Sequence, residues 1–342
     1  DATGAEGVNS TTLASYANLA LYSSMAVFAL AMLAYTGHLA SLRPLTRADA
    51  AALARTPVLV GADGAAEHDG GEPPADAASE AAAASAADFE PSPRSRKLAA
   101  VGLRLTWLAT MLLAASVLMR GLSVMRPPWG NMFEFATAAA CVAAIAFSVL
   151  ARQNRWDWLG LFVVGPVLLT LGLAVRALYV EATELMPILD SVWLVIHVSV
   201  AILAVGAFTI SAALAVVYLL KSRRLGRADT SRSFLDSLPS TDAIERGVYA
   251  VTMVGFILWT FTLVAGAIWA QKAWGSYWTW DPKEVWTFVV WCVYAAYMHA
   301  RATAGWEHKK ATIISLVGYA AIIVNFAVVN IYFVGKHSYS GK

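Results

Sequence analysis

Indoles and imidazoles are the side chains of this 342-residue chain with chemistry to offer. Six of its 13 tryptophans (Trp269, Trp274, Trp278, Trp280, Trp286 and Trp291) fall between residues 269 and 291, most of them in Trp274-Gly-Ser-Tyr-Trp-Thr-Trp-Asp-Pro-Lys-Glu-Val-Trp286. An indole presents a wide flat face with one donor at its edge, which suits a planar ligand or a membrane interface. In the same stretch Asp281, Pro282 and Glu284 supply a helix N-cap, a proline at the first helical position and the reciprocal acid of a capping box. Capping and a direct ligand role are compatible for these acids, and both stay open. Of the six histidines, His197, His299 and His337 fall within or directly after apolar runs. An ionisable group inside a membrane span is a functional candidate by default. Imidazole is an ordinary axial ligand for haem iron. No HxxxH, HxxE or carboxylate cluster supports a bare metal site instead.

The elements that position these residues are membrane helices. Hydrophobic residues make up 58% of the chain and charged residues 14%, with mean hydropathy +0.58. Soluble domains are about half apolar and a quarter charged, so the chain belongs in a lipid bilayer. A net charge of +2 and the lack of basic runs interleaved with aromatics exclude nucleic acid as a partner. Cys141 and Cys292 stand alone in apolar runs, which gives no support to thiol redox chemistry or cysteine-held metals. Runs long enough to cross a bilayer lie at about 13–40, 98–119, 132–151, 156–178, 190–220, 246–270, 284–300 and 311–334. The expected fold is an all-α polytopic membrane protein of about eight spanning helices.

Charge sets the expected orientation. Of the 25 Lys and Arg residues, 17 follow the first, third, fifth and seventh helices. The positive-inside rule makes those segments cytoplasmic. The Trp-rich loop and both termini then face outward, with His197 and His337 beside that loop and His299 towards the cytoplasmic half. The expected domains are 1–43, a first helix with an outer tail; 44–97, a cytoplasmic linker too rich in Ala, Gly, Pro and acids to fold; and 98–342, a seven-helix core. Residues 228–242 read as a short amphipathic interfacial helix, and Asp242 with Glu245 as a capping box for the sixth span. Asn131 with Glu134 reads as a cap for the third. His38 reads as a cation at a helix C-terminus, and His68 and His308 as solvated.

The segment 274–286 resembles the tryptophan-rich WWD signature of haem-handling proteins, and its details are similar to the CcsA/ResC branch (also called CcsB) of the system II cytochrome c maturation machinery. Supporting matches are Asp190-Ser-Val-Trp-Leu-Val-Ile-His197, Trp286 through His299 with Arg301, Val324-Asn325 onward to Gly335-Lys-His337-Ser-Tyr339 and, with substitutions, Pro128-Trp-Gly-Asn-Met-Phe-Glu134. The resemblance covers about 98–342.

It implies that His197 and His337 are the external axial ligands of haem b held at the WWD loop, with Trp274, Trp278, Trp280, Asp281 and Trp286 around it. His299 is then a transmembrane iron ligand whose opposing histidine comes from the partner ResB. Together the two proteins form a cytochrome c synthase (a haem lyase) of the bacterial cytoplasmic membrane. That enzyme joins haem vinyl groups to the CxxCH thiols of apocytochrome c, which a thioredoxin-like protein keeps reduced. This chain supplies positioning and ligation, with no catalytic residue of its own beyond that. Arg120, Arg126 and Arg176 lie outward against the charge rule, and at least one is expected to meet a haem propionate, with lipid headgroups as the other use. Three other readings stay open: a WWD protein of the other maturation system, a di-haem electron-transfer subunit, and a transporter gated by the Trp loop.

Overall fold

The computed structural model describes residues 2–42, 92–154, 156–183, 190–226 and 233–337. Eight helices order these residues. They are α1 (Ala2–Ser41), α2 (Pro93–Ser123), α3 (Met132–Asn154), α4 (Gly160–Leu173), α5 (Val192–Leu225), α6 (Thr241–Trp274), α7 (Pro282–Ala302) and α8 (His308–Ile323). A 3₁₀ turn, Asp157–Leu159, leads into α4, and a π turn, Ala174–Leu178, prolongs it. A second π turn, Val324–Val329, carries α8 on to Asn330–Tyr332. No strand occurs among the described residues.

Seven of the eight are long and apolar enough to cross a bilayer, so the chain is a polytopic membrane protein. The eighth, α7, has 21 residues, about 31 Å at the helical rise, which matches a hydrocarbon core of about 30 Å. It is less apolar because it carries Lys283, Glu284, His299 and Arg301 beside its aromatic residues.

Antiparallel pairs build the bundle: α1 lies along α2, α5 along α6 and α7 along α8, with α3 between α2, α4 and α5. Lipid tails are as apolar as leucine, so helices associate in a membrane by close packing of small residues. The buried Ala136, Ala139, Ala140, Ala143 and Ala144 give α3 that surface. The loops 124–131, 179–183 and 275–281 and the tail 333–337 lie at one end of the bundle.

Several local expectations are corrected. Residues 44–91 of the expected linker lie outside the described residues. Residues 93–97 are helical, because Ser92 caps α2 by accepting from the Ser95 N–H and Pro93 follows at the first position. The described part of 228–242 holds a single 3₁₀ turn, Phe234–Ser237, in place of an interfacial helix. Leu235 and Leu238 are buried, and Lys221 Nζ donates to the Leu238 and Pro239 carbonyls at 2.6 and 2.8 Å. Ser240, not Asp242, caps α6. Glu245 is engaged elsewhere: Arg301 Nε stands 2.9 Å from its carboxylate, which ties α6 to the end of α7. His38 is buried rather than a surface cation, its Nδ1 2.8 Å from Ser95 Oγ, which pins α1 to α2. His308 is exposed, as expected, with its Nδ1 3.7 Å from Glu245.

Candidate functional site

Glu284 orders the loop that opens α7. Its carboxylate accepts from the Thr279 N–H at 2.8 Å, the Thr279 hydroxyl at 3.1 Å and the Asp281 N–H at 3.2 Å. The loop so held forces Trp280 into the left-handed region, at φ +59°. For a bulky residue that conformation costs on the order of 1–3 kcal/mol and persists only where surrounding structure imposes it. The strain sets the chain direction at Asp281, which is buried.

Asp281 does two jobs at once. Its Oδ1 accepts from the Lys283 N–H at 3.0 Å, capping α7, and from His337 Nδ1 at 2.9 Å. Oδ2 accepts from the Lys336 N–H at 2.5 Å. Burial opposes ionisation of this carboxyl, but the hydrogen bonds from His337 and from the Lys336 N–H outweigh it and hold its pKa down at about 2. The tail must approach closely for this to happen. A Cβ at residue 335 would collide with the Asp281 carboxylate, and Gly335 avoids that.

His197, in the second turn of α5, is held in an equivalent way. Its Nδ1 lies 2.9 Å from the Thr262 carbonyl of α6. A carbonyl only accepts, so Nδ1 carries the proton and Nε2 is the basic nitrogen. The carboxylate of Asp281 imposes the same tautomer on His337. An imidazole whose second nitrogen donates to a carbonyl or carboxylate is the form that binds metals best, because orientation and basicity are both set. Gly266 makes room for the His197 ring: a Cβ there would stand 2.7 Å from its Cε1.

Both rings line one cleft, which is open at its mouth. Aromatic Trp129, Trp259, Trp269, Phe135 and Phe326 share the walls with aliphatic residues of α5 such as Leu194, Val195 and Val198. Trp269 meets the His337 ring at 6.2 Å between centroids and is backed by Trp274 at 5.3 Å.

The indoles at the cleft are therefore mostly not those the motif drew attention to. Trp274 acts from behind Trp269, while Trp278, Trp280 and Trp286 are not among the residues that line it. Trp278 instead meets Trp280 at 5.8 Å and Phe288 at 6.4 Å, in an aromatic run whose Trp280 is 78% exposed. Trp129 lies in the Pro128–Glu134 match noted in the sequence, whereas Trp259, on α6 ten residues before Trp269, carried no signal of its own. Lys283 and Asn325 also line the cleft. Each carried a signal in the sequence: a lysine in the first turn opposes the helix dipole, and an asparagine interrupts an apolar run.

The arginines expected at a ligand are engaged otherwise. Arg120 Nε lies 3.0 Å and Arg126 Nη1 2.7 Å from the Glu134 carboxylate, and Glu134 is 1% exposed. Arg120 also donates to the Val180 carbonyl and Arg126 to that of Thr183, at 2.8 Å for the latter. This buried triad fixes loop 124–131, where Asn131 caps α3 by accepting from the Glu134 N–H at 2.9 Å. Arg176 is exposed in the π turn after α4. None of the three lines the cleft. His299 is exposed in the last turn of α7, at the opposite end of that helix from Asp281.

Two imidazoles, each with Nδ1 on an acceptor, thus line one cleft of a polytopic membrane protein. Comparison with known proteins identifies the family. Residues 129–337 match the family model described as "Cytochrome C assembly protein". The chain is 32% identical over 267 residues to the cytochrome c biogenesis protein CcsA of Prochlorococcus marinus (strain MIT 9303), covering 70% of this chain and 84% of that protein. It is 30% identical over 259 residues to CcsA of Parasynechococcus marenigrum (strain WH8102), covering 68% and 84%. CcsA of Chlamydomonas reinhardtii is 36% identical over 159 residues, 46% of this chain and 44% of its own. The chain belongs to the CcsA family of system II cytochrome c biogenesis.

Proposed function

We propose that this chain holds haem b between His197 and His337 and presents it for covalent attachment to apocytochrome c, as one subunit of a synthase completed by a ResB-type partner. The observation that carries the reading is the pairing of each Nδ1 with an acceptor, Thr262 O and Asp281 Oδ1, while both rings line one aromatic cleft. That donor set fits haem, whose iron takes two axial imidazoles and whose faces lie well against indoles.

When bound, haem supplies the vinyl groups. Each CxxCH thiol adds across one vinyl double bond: sulfur bonds to one carbon, the thiol hydrogen ends on the other, and no net oxidation occurs. The chain's own residues contribute position. His197 and His337 fix the iron, the aromatic walls exclude water, and the macrocycle is held in one place. Orientation of this kind turns a slow encounter into a nearly intramolecular step. The thiols come from the substrate, kept reduced by a thioredoxin-like protein on the outer side of a bacterial cytoplasmic membrane. His299 serves as a ligand for haem in transit, completed by a histidine of the partner, and its exposure on α7 supports that role.

The test is replacement of the two ligands. His197→Ala and His337→Ala should each abolish assembly of a reporter cytochrome c, and imidazole in the medium should restore part of it by filling the empty coordination position. Normal attachment by the double variant would overturn the assignment.

A further inference from the structure

Lys283 brings an ammonium to the cleft that makes no direct ion pair. Its Nζ donates to the Asn325 carbonyl at 3.0 Å, and among the described residues the carboxylate that acts on it, Asp281, does so without a direct contact to Nζ. Asp281, two residues earlier, spends its oxygens on His337, the Lys336 N–H and the Lys283 N–H. An ammonium has three donors, so one bond to a carbonyl leaves it under-used. A charge withdrawn from water without a counter-ion in contact is costly.

The neighbouring group is incomplete in the complementary way. Asn325 is 4% exposed, and its Oδ1 has no hydrogen-bond partner, while Nδ2 reaches Thr287 Oγ1 at 3.4 Å. Both residues line the cleft that His197 and His337 enter. Asn325 lies in the π turn of α8, where the helical ladder is interrupted and a carbonyl is free to turn towards the lysine. Such turns occur frequently at functional sites.

We propose that Lys283, positioned by Asn325, binds a carboxylate of the ligand held between His197 and His337, and so sets which edge of that ligand enters the cleft first. This rests on the haem reading above and deepens it. Protohaem carries its propionates on one edge and its vinyl groups on the opposite edge. A cation fixed inside the cleft draws the propionate edge in and turns the vinyl edge towards the mouth, where a CxxCH segment can reach it. Lys283 is thus the specificity and orienting residue of the site, a role that Arg120 and Arg126 cannot take while they hold Glu134.

The experiment uses the full chain with its membrane partner, stripped of haem and then offered protohaem or its dimethyl ester. The wild-type complex should retain protohaem roughly tenfold or more over the diester, the scale of one charge-assisted hydrogen bond. Lys283→Met should erase that preference and leave the bis-imidazole absorption bands intact; Lys283→Arg should keep most of it. Equal retention of both probes by the wild type, or an undiminished preference in Lys283→Met, overturns the proposal. A lysine that merely ties α7 to α8 would, when replaced, lower thermal stability and weaken both probes alike, which also counts against it. Failure of the underlying haem reading looks different: the bands would survive in His197→Ala and His337→Ala.

Discussion

At the scale of single residues the site turns on Asp281, which caps a helix and orients His337 with the same oxygen. Asparagine in its place could still cap α7, but its amide can present an N–H to His337 Nδ1 and favour the wrong tautomer. Asp281→Asn should therefore weaken haem retention about 10–100-fold, the usual loss when a residue supporting a metal ligand is removed, with the fold kept. Titrating haem into the purified variant complex measures this; wild-type affinity would show that His337 needs no such support. The pH dependence follows from the sign of the shift. A carboxyl held at about 2 in the folded protein, against about 3.9 in an unfolded chain, adds stability that is present above about pH 4 and lost as pH falls through about 2. Asp281 stays charged across the neutral and mildly acidic range, so loss of haem near pH 5–6 would have to originate elsewhere.

At the scale of elements, α6 shapes the site as much as the Trp loop does. It lends the Thr262 carbonyl to His197 and, at Gly266, leaves the space its ring occupies. Gly266→Ala would strengthen the helix intrinsically, alanine being the better helix former by about 1 kcal/mol, yet its methyl must displace the imidazole. The expected outcome is an unchanged or raised Tm together with loss of the His197-dependent absorption bands; bands identical to wild type would show that the ring has room to move. Such packing is invisible in a linear sequence, since Gly266 and His197 are separated by most of two helices. What could be read was whatever local chemistry dictates: the apolar runs, the Asn131 and Asp281 caps, and the histidines at the Trp-loop end. Cap choice at α6 went astray because two acids with cap spacing were visible, whereas the pairing of Glu245 with Arg301 arises only on folding. The indoles that line the cleft follow a related logic. Crowding in sequence marks Trp269 with Trp278 and Trp280, but folding brings Trp269 and Trp259 of α6 together with Trp129 of loop 124–131.

At the scale of the whole molecule, the bundle concentrates its polar chemistry at one end. The buried Glu134 triad holds loop 124–131, the Glu284 network holds the loop before α7, and the tail returns through Asp281. The first and last of these border the cleft directly, through Trp129 and His337. At the other end, Arg301 and Glu245 lock α6 to α7 beside an exposed His299. On the proposed function, the two histidines of the cleft form a site within this chain, and His299 forms one that a partner completes. The most direct measurement is a density map of the chain with its membrane partner and bound haem. The account predicts a tetrapyrrole between His197 Nε2 and His337 Nε2, with both Nδ1 bonds to Thr262 and Asp281 kept and indoles 129, 259 and 269 around it. A macrocycle lying instead against Trp278 and Trp280, with the cleft holding only lipid or water, would contradict it.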